Sequence, residues 1–128
     1  MNIGSVTLLV RDYDEAIRYF TNYLNFVVRE DVRLSEHKRW VTVSPDSNSE
    51  MKIVLAQPKN DEEKSRIGNQ TGGRVFLFLE TENFESDYKR LKNNGVEFIE
   101  NIRSETYGKV VVFKDLYGNK WDLVEKMR

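Results

Sequence analysis

The amino-acid sequence reads twice. A strand, a helix and three more strands are predicted between Val6 and Leu55, and the same order returns between Leu77 and Leu123. With the two passes set about 71 residues apart, Tyr13, Ile17 and Phe20 fall opposite Phe84, Tyr88 and Leu91, and Asp12 falls opposite Asn83. Near the end of each pass, Val41-Thr42-Val43-Ser44-Pro45-Asp46 answers Val110-Val111-Val112-Phe113-Lys114-Asp115. Few letters are identical, so what repeats is a pattern of residue classes. A doubled strand–helix–strand unit can curl two sheets around one cavity, and a cavity is where small molecules bind.

The individual elements follow from local chemistry. Val6–Val10 is a short apolar run that reads as a buried strand. Asp12 offers a helix N-cap with Glu15 three residues on, and Tyr13, Ile17, Phe20 and Leu24 follow at helical spacing. Asn25 suits a left-handed stop. Strands are predicted over 26–34, 40–44 and 52–57, the second closed by the turn residues Pro45 to Ser49. In the second pass a strand is predicted over 74–80. Asn83 is expected to cap a helix that ends at Asn94-Gly95, and strands follow over 96–102, 109–113 and 120–124. The predicted fold is α+β: a first βαβββ module over 1–58, a linker over 59–73 and a second module over 74–128, together forming one domain.

Composition narrows the function classes. Twenty basic and 21 acidic residues are interspersed to a net charge of −1, which gives no footprint for nucleic acid and no basic membrane patch. The absence of cysteine removes disulfides, thiolate metal sites and a cysteine nucleophile, and suits a reducing cytoplasm. No apolar run approaches the roughly 18 residues of a membrane span. Met1-Asn2-Ile3-Gly4 lacks the charged and apolar regions of a signal peptide, so a cytoplasmic protein is expected.

Three stretches carry a resemblance. Val6 to Ala16, with Tyr19-Phe20 and Tyr23-Leu24-Asn25-Phe26 after it, resembles the opening of the vicinal oxygen chelate superfamily, which includes glyoxalase I, bleomycin-resistance proteins and extradiol dioxygenases. Leu91 to Phe98 and Phe113 to Leu123 resemble its second-half signatures. The resemblance implies two βαβββ modules whose sheets wrap a shared cleft, commonly within a homodimer. It also implies a divalent metal held by His, Gln or Glu side chains on the first and last strands of each module. Carried over position by position, those sites fall on Ser5, Val54, Phe76 and Asp122. Val54 and Phe76 have no donor atoms and Ser5 has a neutral hydroxyl, whereas a stable site needs at least three converging protein ligands. No metal and no other cofactor is therefore expected. The one histidine, His37, lies between Glu36 and Lys38 and reads as an exposed turn residue.

The expected function is metal-independent binding, or sequestration, of a small aromatic or amphipathic organic molecule, with catalysis not expected. A metal-dependent enzyme with atypical ligands and a non-catalytic accessory domain stand as the alternatives. The candidate ligand-binding residues are Ser5, Trp40, Phe76, Tyr107, Asp122 and Arg74. Strand alternation sets Phe76 and Phe78 on one face with Arg74 and Glu80, and Asp122 on one face with Lys120 and Val124. An unpaired carboxylate among apolar walls is costly, so Asp122 is expected either to pair with a basic residue such as Arg74 or to receive a cationic or hydroxyl group of a ligand.

Overall fold

A computed structural model describes residues 1–126. The chain forms two compact units, the first running to Gly68 and the second beginning at Asn69.

The first unit contains β1 (Ser5–Leu9), α1 (Tyr13–Asn22), β2 (Val27–Arg33), β3 (Arg39–Ser44), β4 (Lys52–Ala56) and the short α2 (Asp61–Ser65). Its four-stranded sheet has the order β1-β4-β3-β2, with β1 parallel to β4 and the other pairs antiparallel. α1 starts where expected: the Asp12 carboxylate accepts the Glu15 N–H at 2.8 Å, satisfying a donor that the first turn leaves without a partner. The helix buries Tyr13, Ala16, Tyr19 and Phe20 and packs on β2, β3 and β4. The strands bury Leu8, Val41, Val43, Ile53 and Leu55. Each such side chain contributes roughly 1.5–3 kcal/mol on leaving water. The chain leaves the helix through Asn25 at φ 57°, the left-handed conformation that a short polar side chain tolerates.

The second unit repeats this order with β5 (Val75–Thr81), α3 (Phe84–Asn94), β6 (Glu97–Phe98), β7 (Arg103–Glu105), β8 (Gly108–Lys114) and β9 (Lys120–Glu125). The sheet order is β5-β9-β8-β6, β7 also pairing with β8, and its first and last strands are again parallel. The doubled α+β architecture is thus the observed one. Two local expectations differ. The strand predicted over 96–102 shortens to β6, and a further strand, β7, begins just past its predicted end. Between them the Glu100 carboxylate accepts the Val112 N–H at 3.2 Å, a bond that a continuous ladder would take from backbone. Asn83 occupies the N-cap of α3 but makes no side-chain cap bond. Thr81 organises this entry instead: its hydroxyl donates to Asp87 at 2.5 Å and accepts the Asn83 N–H at 2.9 Å.

On one face of this sheet a chain of touching rings runs Tyr88, Phe98, Phe113 and Trp121, tilted, edge-on and then stacked, with successive centroids 4.6, 5.8 and 5.7 Å apart. Tyr88 belongs to α3, so these rings tie helix to sheet. The β8–β9 turn is held by one carboxylate. Asp115 accepts the N–H groups of Tyr117, Gly118 and Asn119, each at 3.0 Å, and the buried Trp121 indole N–H at 3.1 Å. Gly118, at φ 103°, supplies the positive φ that this tight loop requires. Among the described residues no helix is long and apolar enough to cross a membrane.

Asp115→Ala removes the acceptor for several buried donors at once. It should lower the unfolding free energy by about 3 kcal/mol, read as a shifted midpoint at unchanged m-value in urea denaturation.

Candidate functional site

The last strand of the second unit lays out the site. Side chains alternate across β9, so Lys120, Asp122 and Val124 rise from one face while Trp121 and Leu123, each 1% exposed, rise from the other. In register, Asp122 lies between Phe78 of β5 and Val112 of β8, and Lys120 lies beside Val75. On this face Phe78, Val75, Val112 and Ile99 form the apolar part of a recess of about 490 Å³, whose polar residues are Arg74, Lys120 and Glu100. Asp122 stands in the row between two of its lining residues.

The carboxyl of Asp122 is the unusual group. The residue is 9% exposed, and its Oδ1 has no hydrogen-bond partner among the described residues. Burial raises its pKa, opposed by the nearby Arg103 guanidinium and reinforced by the negative charge of Glu100. Arg103 is already committed, donating to Glu100 and to Glu105 at 2.8 Å each. Of the two outcomes expected for Asp122, the ion pair with Arg74 is not formed. Arg74 lines the recess, but its guanidinium makes no ion pair or hydrogen bond among the described residues, and neither does the Lys120 ammonium.

The other sequence-derived candidates fall elsewhere. Phe76 does not share the face of Phe78. The β5–β9 register shifts between Val75 and Leu77, and this bulge turns the Phe76 ring edge-on to Trp121, 6.1 Å between centroids, on the sheet's other side. Nothing in the local sequence signals the bulge. Tyr107 is exposed in the turn between β7 and β8 and does not line the recess. Ser5 and Trp40 lie in the first unit, Ser5 exposed at the start of β1. Trp40 is fixed by a residue that sequence reasoning missed: Glu30, which accepts the Trp40 indole N–H at 2.5 Å, the Thr42 hydroxyl at 3.1 Å and the Lys52 ammonium at 3.1 Å. The Trp40 hydrogen bond, and then that of Lys52, hold this carboxyl below the usual glutamate range. Glu30 faces Thr42 across the β2–β3 ladder, just past a second bulge between Val28 and Glu30, again without a local sequence signal. His37 is exposed in the β2–β3 turn, as its polar neighbours suggested. Glu100 and Ile99 were also missed, because the sequence places them inside one continuous strand.

The sequence profile of the Glyoxalase/Bleomycin resistance protein/Dioxygenase superfamily matches residues 2–123. The chain belongs to this superfamily. It is 46% identical over 125 residues to an uncharacterized protein of Shewanella frigidimarina (strain NCIMB 400), covering 97% of this chain and 93% of that one. It is 29% identical to the Bacillus subtilis (strain 168) protein YurT over 98% of its own length and all of the relative's. Among solved structures, UcmS2 superposes with a TM-score of 0.83 at 32% identity, with 97% of each chain covered. TnmS3, an antibiotic binding protein from Streptomyces sp. CB03234, superposes at 0.78 over 98% of this chain and 95% of that one; at 21% identity this likeness shows the fold alone.

The residues present do not fit the divalent ion that membership in the superfamily implies. The carried-over positions hold Ser5, Val54, Phe76 and Asp122, and the bulge moreover turns Phe76 off the face of Asp122. Among the described residues no three His, Asp or Glu side chains converge. A single carboxylate cannot saturate such an ion.

The raised pKa of Asp122 fixes the sign of a pH effect. The folded protein holds the Asp122 proton to higher pH than the unfolded chain does, so this group lowers stability as pH rises out of the ordinary aspartate range. Asp122→Asn should therefore stabilise the protein at pH 7, by on the order of 1 kcal/mol, with the gain shrinking as the pH falls into that range. Paired urea melts across pH will show this, and an equal effect at all pH values would contradict it.

Proposed function

We propose that this protein binds a small, partly aromatic organic molecule stoichiometrically and without a metal ion, in the recess of the second unit. The observation that carries the reading is the conjunction at Asp122: a buried, unpartnered carboxyl oxygen in a row between apolar residues that line an open recess. Leaving such an atom without a partner costs about 1–3 kcal/mol, and a ligand group that meets it offsets that cost in the bound state. Three further features support the reading. The volume lies within the usual range for drug-sized ligands. Phe78 is 64% exposed and lines the recess, where its ring can stack on a flat ligand. A protein of this same fold is an antibiotic binding protein. A homodimer, which the superfamily resemblance implies, belongs to this proposal and is checked by light scattering.

The test is a thermal-shift screen of metal-free protein against aromatic antibiotics and aromatic metabolites, followed by calorimetry of the hits. A saturable upshift at one ligand per chain in the presence of chelator is expected, because a ligand of the native state stabilises by mass action. Hits that require added metal, or no hit at all, would contradict the reading. The two phenylalanines separate binding from packing. Phe78→Ala should weaken the hits tenfold or more while changing stability by less than about 1 kcal/mol. Phe76→Ala should cost about 2–3 kcal/mol of stability and leave affinity nearly unchanged.

A further inference from the structure

The recess and the row beside it carry more than one chemical demand, and together they describe a class of ligand. Asp122, in the row between the lining residues Phe78 and Val112, has no hydrogen-bond partner for its Oδ1 among the described residues. Lys120 sits two residues away on the same strand and the same face, so their Cα atoms are about 6.6 Å apart. Lys120 and Arg74 are cations lining the recess, and neither side chain has an ion pair or hydrogen bond among the described residues. The one acidic side chain lining the recess, Glu100, does not neutralise them: it is bonded to Arg103 at 2.8 Å and to the Val112 N–H at 3.2 Å. On the neighbouring strand Val75 lies beside Lys120 and Phe78 beside Asp122, and they offer an apolar path and an exposed ring.

From this arrangement, and resting on the binding reading above, we infer that the ligand is an aromatic acid. Its anionic group meets Arg74 and Lys120, its ring lies along Val75 and Phe78, and a hydroxyl or other hydrogen-bond donor at the far end of the ring meets Asp122. The acid answers the two cations of the lining, and the donor answers Asp122 in the row between the lining residues Phe78 and Val112. A neutral aromatic molecule leaves Arg74 and Lys120 unanswered, and an acid without a donor leaves Asp122 unsatisfied. A simple cation would satisfy Asp122 but would meet repulsion from Lys120 on the same strand.

Three matched probes test this on the intact, metal-free protein: 6-hydroxy-2-naphthoate, 2-naphthoate and 2-naphthol, titrated by calorimetry at pH 7. The doubly substituted acid should bind at least tenfold more tightly than either singly substituted one, since each added contact is a hydrogen bond involving a charged or buried partner. Lys120→Met should weaken both acids by roughly tenfold and leave 2-naphthol unchanged. Asp122→Leu, checked for folding by near-ultraviolet circular dichroism, should erase the advantage that the hydroxyl gives. The comparison of the three probes on the unaltered protein stands even if that variant fails to fold. Equal binding of all three, or tightest binding of 2-naphthol, overturns the inference while leaving small-molecule binding intact. No binding of the three alongside hits in the aromatic screen overturns the inference alone. No binding in either experiment overturns both.

Discussion

The parallel contact between the first and last strands of each unit governs what the rest of the chain can do. β1 lies on β4 and β5 on β9, and the connection between parallel neighbours must cross over the sheet, carrying the helix with it. In the second unit one face is thereby committed to the rings from Tyr88 to Trp121, and the other carries Lys120, Asp122 and Val112. The same contact puts β9 inside the sheet, flanked by β5 and β8. A carboxyl at the middle of an inner strand is screened from water by its neighbours in the row, here Phe78 and Val112. Asp122 owes its burial, and so its raised pKa, to that position.

The Asp115 turn makes the placement reliable. Its carboxylate collects the N–H groups of the loop and the Trp121 indole, so the loop and the first turn of strand after it are set by one group. With Trp121 held to one side, alternation sends Lys120 and Asp122 to the other. Asp115 and Asp122, seven residues apart, illustrate two fates of a buried carboxylate. One is saturated with donors and serves as architecture; the other has an oxygen with no partner among the described residues.

Much of this was legible in the sequence, and for definite reasons. The apolar spacing of Tyr13, Ile17 and Phe20, the Asp12 cap and the Asn25 and Gly95 stops specify helices through contacts of three or four residues, which sequence displays directly. The doubling of the fold was visible because both halves obey the same alternation. Around the recess, the shared face of Lys120 and Asp122 follows from strand alternation, whereas Asp122 itself was singled out by the family resemblance. What escaped depends on register between distant strands. The bulge at Val75–Leu77 separates Phe76 from Phe78, and the bulge at Val28–Glu30 sets Glu30 beneath Trp40. Glu100 interrupts a strand by bonding the backbone of β8, a partner 12 residues away. No local pattern announces any of the three.

The central claim is that Asp122 is buried, lacks a partner at one carboxyl oxygen and is poised for a ligand. Carbon-13 NMR titration of the aspartate side-chain carboxyl carbons, with Asp122 assigned by substitution, measures this directly. The account predicts that its resonance titrates above the ordinary aspartate range in the free protein and moves on saturation with a bound ligand. A carboxyl that titrates within or below that range would show that it is solvated or already paired, and would contradict the account.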